Sequence, residues 1–120
     1  MPIVILSNQA TAAGAELLSS ALMENVDATL VGEKTAGKWN VQTVEALPNG
    51  FAIKYTAKSF RSPHDRTFQG IGLNPAIVVT TTPGIPPYRR SFKNLEERLD
   101  ADSQLRAALV LLEAQSKNQK

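Results

Sequence analysis

Three groupings of polar residues in this 120-residue chain have types and spacings that could do chemistry. The segment Gly32-Glu33-Lys34-Thr35-Ala36-Gly37-Lys38 matches the Gly-x-x-x-x-Gly-Lys part of a phosphate-binding loop, whose backbone N–H groups cradle phosphate. That motif needs Ser or Thr next, for magnesium, and then a helix facing the phosphates. Trp39 and a strand pattern follow instead, so nucleotide binding is not expected. The second grouping, Ser7 to Glu16, has the pattern of a strand turning tightly into a helix, where converging N–H groups can hold an oxyanion beside a nucleophile. The turn offers Asn8, Gln9, Ala10, Thr11, Ala12, Ala13 and Gly14, and Asn8 and Thr11 equally suit plain helix capping. The third, His64 and Asp65 with Ser59 or Ser62, has the side chains of a Ser-His-Asp triad. Crowded into one Pro-containing loop, however, they read as turn chemistry. Glu16 falls in the first helical turn, where an acid suits the helix dipole and needs no catalytic role.

These groups depend on the elements that carry them. Ile3 to Leu6 is an unbroken apolar run without alternation, which predicts a parallel-sheet strand covered on both faces. A strand opening a chain in this way is expected in a piece of something longer. Leu17, Leu18, Ala21 and Leu22 repeat at helical spacing between Thr11 and about Asn25, and Ala28 to Val31 reads as a second short strand. Val41 to Leu47 and Phe51 to Ser59 flank Pro48-Asn49-Gly50, a strong hairpin signal. A polar loop, Arg61 to Gly72, precedes a strand at Ala76 to Thr80, after which Pro83, Pro86 and Pro87 break the chain. From about Ser91 the period is helical, with Phe92, Leu95 and Leu99 on one stripe and Leu105, Ala108, Leu109 and Leu112 on another. Asp102 is placed to cap between them, and fraying is expected from Lys117. The order of elements predicts an α/β fold with a mixed sheet.

Composition narrows the function classes. A hydrophobic share of 42% and a charged share of 20% fit a globular chain, and the length fits one domain. The net charge of +2 is spread over Arg89, Arg90, Lys93, Lys117 and Lys120, so nucleic acid is not indicated, and Arg89 and Arg90 read as a solvated linker face. With no cysteine and a single histidine, a thiolate zinc site, a cysteine nucleophile and a histidine-rich metal site all lack their ligands. No run approaches the roughly 20 apolar residues of a membrane span, and the opening run is too short and lacks the basic start of a signal peptide.

The stretch Asn8 to Leu18, then Leu30 to Lys38 with Val41-Gln42, strongly resembles the catalytic domain of the C-terminal processing peptidases, or tail-specific proteases. Leu47-Pro48-Asn49-Gly50, Phe60-Arg61-Ser62-Pro63, Gln69-Gly70-Ile71-Gly72-Leu73-Asn74-Pro75 and Asp102 to Leu112 continue the likeness in the same order. The resemblance implies a Clp protease/crotonase-like α/β fold with a mixed sheet, flanking helices and a β-hairpin. It also implies that residues 1–120 are the C-terminal portion of the catalytic domain, with no PDZ domain in this chain. The family uses a serine nucleophile and a lysine base without a cofactor. Its helix-turn motif puts the nucleophile three residues before Glu16, at position 13, and the base 25 residues further on, at Lys38. Position 13 holds Ala13, so the attacking hydroxyl is absent.

By the same likeness, Lys38 is the general base, Gln42 orients its amine, and the Gly14 N–H supplies half of an oxyanion hole. The family's other oxyanion donor lies upstream of this segment. A lysine base must be neutral, which requires shielding such as Trp39 could provide, although bulky Trp39 could also narrow the pocket. Ala76 stands where an acid commonly follows Asn-Pro. The implied activity is a serine endopeptidase acting on protein C-terminal regions, inactive here, with polypeptide C-termini as partners and an exported or periplasmic location. Ala13 is compatible with an engineered change or with a natural pseudoenzyme. The alternatives are a noncatalytic module binding a peptide or small apolar ligand on the same fold, and a fragment that self-associates through exposed strand edges.

Overall fold

Parallel and antiparallel pairing lie in two separate sheets. A computed structural model describes residues 1–81 and 91–118. The expected break at Pro83, Pro86 and Pro87, the Arg89–Arg90 face and Lys120 lie outside the described residues. In chain order the elements are β1 (Val4–Ser7), α1 (Gly14–Val26), β2 (Thr29–Gly32), β3 (Asn40–Ala46), β4 (Ala52–Ser59), β5 (Ile77–Val78), α2 (Leu95–Ala101) and α3 (Ser103–Lys117). The first sheet is parallel in the order β1-β2-β5, with Val4 opposite Thr29 and Val31 opposite Ile77. The β-branched runs Val4-Ile5 and Ile77-Val78 suit such a sheet; α1 returns the chain in parallel from β1 to β2, and the β3-β4 segment with its following loop does so from β2 to β5.

The expectation that β1 is covered on both faces is corrected. Leu6 is 39% exposed, so one face of β1 is open at that position. Both α1 and α3 pack on this sheet. The core is Leu30, Trp39 and Leu73, with Ile5, Leu17, Met23, Phe60 and Phe68 around it, and the Trp39 and Phe68 rings lie 5.1 Å apart and tilted. Burial of three such side chains supplies about 1.5–3 kcal/mol each.

The second sheet is the hairpin β3-β4, paired from Asn40 opposite Ser59 to Ala46 opposite Ala52. Its turn is closed by Leu47 and Phe51 (N···O 2.7 Å), with Gly50 at φ +84° and the Asn49 side chain accepting from the Phe51 N–H at 3.1 Å. Asn-Gly favours this turn because Asn bonds locally and Gly accepts positive φ. The register slips between Val41 and Gln42, leaving Ala57 without a counterpart, a bulge that re-aims neighbouring side chains.

Asp102 separates the two C-terminal helices and caps α3, its carboxylate accepting from the Leu105 N–H at 3.0 Å. The buried Gln104 then ties α3 to the sheet end by donating to the Val79 carbonyl at 2.9 Å.

Candidate active site

The turn after β1 is folded by its own side chains. Asn8 N–H donates to Thr11 Oγ1 (3.1 Å), Ala10 N–H to Asn8 Oδ1 (2.9 Å) and Thr11 N–H to the Asn8 carbonyl (3.0 Å). Asn8 and Thr11 therefore satisfy each other and do not cap α1. The capping position is Ala13, whose methyl accepts nothing, and the helix begins three residues later than its apolar period predicts. Ala13 has φ 51° and ψ −118°, a conformation that an L-residue adopts only under constraint. Strain of this kind concentrates at functional turns, where it holds a side chain clear of the backbone. Ala13 and Gly14 are exposed, and Gly14 opens α1, where first-turn N–H groups have no acceptor within the helix.

Glu16 is the residue that sequence reasoning undervalued. It is fully buried, at 0% exposure. Its Oε1 accepts from the Thr35 hydroxyl (2.5 Å) and the Gly37 N–H (2.8 Å), and its Oε2 accepts from the Lys38 N–H (2.8 Å) and the Ala13 N–H (3.1 Å). Burial pushes its pKa up, but the bonds from Thr35, Lys38, Gly37 and Ala13 outweigh that and hold the carboxyl below its ordinary value. One carboxylate thus fastens the turn at 13 to the loop at 38. The available signal was its place three residues after the turn apex, as in a capping box, but its loop partners are 19 to 22 residues away.

Two further ties fix the Lys38 loop. Ala36 N–H donates to the Thr11 carbonyl (2.9 Å), and Thr35 and Leu73 pair through N–H donors of each, at 3.1 Å to the Leu73 carbonyl and 2.7 Å to the Thr35 hydroxyl. The approach is close enough to require glycine at Gly72, which has φ +77° and where an added Cβ would lie 2.2 Å from the Thr35 carbonyl oxygen. Between Thr35 and Trp39 burial alternates, with Thr35, Gly37 and Trp39 inward and Ala36 and Lys38 outward. The segment is not a regular strand, since Gly37 turns it with φ +74°.

The expectations for Trp39 are therefore corrected. Its ring is 1% exposed and lies in the core, so it neither narrows the pocket nor shields Lys38, which is exposed. Its indole Nε1 has no hydrogen-bond partner among the described residues.

Ala13, Lys38, Asn40, Gln42 and Gln69 line one cavity of about 390 Å³. Positions 13, 38 and 42, which the resemblance implied, line this cavity together, with Gly14 adjoining Ala13, while Asn40 and Gln69 are additions that the sequence did not single out as site residues. The Ser-His-Asp grouping does not assemble. Ser62 is buried with its hydroxyl accepting from the Arg66 N–H (3.2 Å), while the His64 N–H (2.7 Å) and the Arg66 guanidinium donate to Glu24 on α1. Despite the opposing effect of burial, the Arg66, His64 and Ser62 bonds hold the Glu24 carboxyl down at about 2. The Gly32–Lys38 segment leads into β3, so the helix required by a phosphate loop is absent there. Among the described residues no group of acidic or histidine side chains could hold a metal, and no helix is long and apolar enough to cross a membrane.

A family model of peptidase family S41 matches residues 1–79. The carboxyl-terminal-processing protease of Synechocystis sp. is 40% identical over 111 residues, covering 92% of this chain and 24% of that protein. The one from Picosynechococcus sp. is 40% identical over 82 residues, 68% of this chain and 20% of that protein. Among solved structures, the photosystem II D1 C-terminal processing protease matches with a TM-score of 0.60 at 32% identity, covering 66% of this chain and 20% of that one. The chain thus spans between a fifth and a quarter of the length of these relatives.

Proposed function

The chain belongs to peptidase family S41, the family of C-terminal processing serine proteases, and from that premise we propose that it is part of a Ser/Lys endopeptidase domain that binds the C-terminal regions of polypeptides without cleaving them. In this reading residues 1–120 form one domain, the C-terminal part of the catalytic unit. Ala13 occupies the nucleophile position, Lys38 is the general base, Gln42 orients its amine, and the Gly14 N–H is an oxyanion donor. One observation carries the reading: Ala13, at the apex of a strained strand-to-helix turn, faces the same cavity as Lys38 and Gln42. A base at Lys38 must shed its proton, which desolvation favours, and a peptide lying across the open cavity would supply that cover. Loss of a serine nucleophile typically costs about six orders of magnitude in turnover while binding survives.

The noncatalytic reading shares this geometry and is favoured by Ala13 itself. The cavity's amide and amine lining then suits a peptide better than a small apolar ligand. Ala13→Ser in the longest available version of the gene, assayed on an unstructured substrate with an apolar C-terminus, tests the choice. Cleavage that Lys38→Ala abolishes supports the peptidase reading. Binding without cleavage in Ala13→Ser assigns the chain to the binding class.

A further inference from the structure

Resting on that peptide-binding reading, we propose that the Gln69 side chain binds a main-chain carbonyl of the polypeptide lying across the cavity at residue 13, so that this wall reads peptide backbone rather than side chains. The Trp39 backbone N–H lies 2.6 Å from Gln69 Oε1. An N–H only donates, so the amide atom facing it is the oxygen, and the orientation of this side chain is fixed by chemistry. With its oxygen engaged, Gln69 can offer the cavity it lines only the two N–H donors of Nε2, which have no partner among the described residues. Asn40 and Gln42, on β3, differ in this respect. No hydrogen bond among the described residues fixes their amides, so either can turn a donor or an acceptor inward.

Gln69 is held by its backbone as well as by its side chain. Gly70 N–H donates to the Gly37 carbonyl at 2.8 Å, the Ile71 and Gly72 N–H groups both donate to the Phe68 carbonyl (3.0 and 2.9 Å), and the Trp39 carbonyl accepts from the Phe60 N–H at 2.7 Å. An added Cβ at Gly37 would lie 2.8 Å from the Gly72 nitrogen, so the two segments meet at backbone contact. The donor is therefore set before a ligand arrives, and little side-chain freedom remains to be lost on binding. The rest of the lining decides the kind of acceptor. It comprises one methyl, one lysine and three primary amides, and Lys38 in the role of a base is uncharged. The neighbouring acid, Glu16, directs both oxygens to four other donors and offers nothing to the cavity. A lining without charge favours a neutral acceptor over an anion, which would leave water there without a counter-charge. Every residue of a polypeptide carries such an acceptor whatever its side chain, so this contact suits unstructured chains of varied sequence.

The test uses the protein encoded by the longest available version of the gene and a short unstructured peptide with an apolar last residue. Each peptide bond in turn is replaced by a trans-alkene, which keeps the shape of the bond and removes its carbonyl. Calorimetric titration of the series should find a bond whose replacement weakens binding about three- to tenfold, the worth of one neutral hydrogen bond. In Gln69→Glu, a carboxylate oxygen still accepts from the Trp39 N–H, so thermal stability and Trp39 fluorescence should hold, but the Nε2 donors are gone. At that bond the alkene should then bind as well as the parent peptide or better, while any losses at other bonds persist. A merely structural role for Gln69 would weaken the whole series alike and leave its ratios unmoved. If no bond is sensitive in the unmodified protein, or if the loss at every sensitive bond persists in Gln69→Glu, the inference is overturned and the peptide-binding reading stands. If no peptide of the series binds, the inference falls together with the reading beneath it.

Discussion

Glu16→Gln keeps the shape of the side chain and exchanges one oxygen for an NH2 group. Each carboxylate oxygen of Glu16 serves two donors, Thr35 and Gly37 on one side and Lys38 and Ala13 on the other. Turned towards Lys38 and Ala13 the new amide nitrogen faces two N–H donors that it cannot bond, and turned towards Thr35 and Gly37 it faces one such N–H and a hydroxyl that must reverse its direction. An orphaned buried donor costs about 1–3 kcal/mol, so two cost about 2–6 kcal/mol. Thr35 can rotate its hydroxyl and recover part of this, which places the expected loss near 3 kcal/mol. Against a total of about 5–15 kcal/mol, that is a large fraction of the stability of a domain. Urea unfolding followed by Trp39 fluorescence should show a midpoint lowered by about 1–3 M with the slope unchanged. The pH profile provides a second readout. Because the folded pKa of Glu16 is lowered, its contribution is fully present above the ordinary carboxyl value near 4.5 and is lost as pH falls through the folded value. In the Gln variant that part of the acid dependence should disappear. A loss of less than about 1 kcal/mol, with the acid profile intact, would refute the argument that this carboxylate joins the two halves of the site.

Two further outcomes follow from the same geometry. Ala13→Gly should raise the melting temperature by a few degrees. It relieves about 1–3 kcal/mol of strain at φ 51° and gives back about 0.5–1 kcal/mol in unfolded-chain entropy, so a lower melting temperature would contradict the strained turn. The Glu24 carboxyl, held at about 2, should stabilise the docked 62–66 loop at all pH values above about 4.5 and lose that effect between there and about 2. An acid titration that Glu24→Gln leaves unaltered would remove the tether.

The parts of the fold written in local chemistry were legible from sequence. Asn49-Gly50 set the hairpin, Asp102 marked the start of α3, and the apolar runs located β1, β2 and β5 to within two or three residues. The meeting of positions 13, 38 and 42 was legible only through the resemblance, since each lies on a different segment. The direction of Trp39 was not legible, because whether an aromatic beside a lysine covers it or turns away is set here by distant backbone partners, Glu16 and Gln69, and by the turn at Gly37. The burial of Glu16 was hidden for a related reason. A carboxylate in a first turn is usually solvated, and here four donors from distant backbone make the interior tolerable. The exposure of Leu6 was not legible, because periodicity does not report which elements pack over a sheet face.

The alternating inward and outward phase from Thr35 to Trp39 has a consequence for variation in this segment. Exchanges of residue type at the outward positions leave the backbone bonds of Gly37, Lys38 and Trp39 untouched, whereas deletion or insertion of one residue moves Trp39 and Lys38 out of register with Glu16 and Gln69. Such an indel would pull the indole from its place among Leu30 and Leu73. Homologous chains that keep this architecture should therefore differ freely in the chemistry of positions 34 and 36 while holding the count between Gly32 and Trp39 constant.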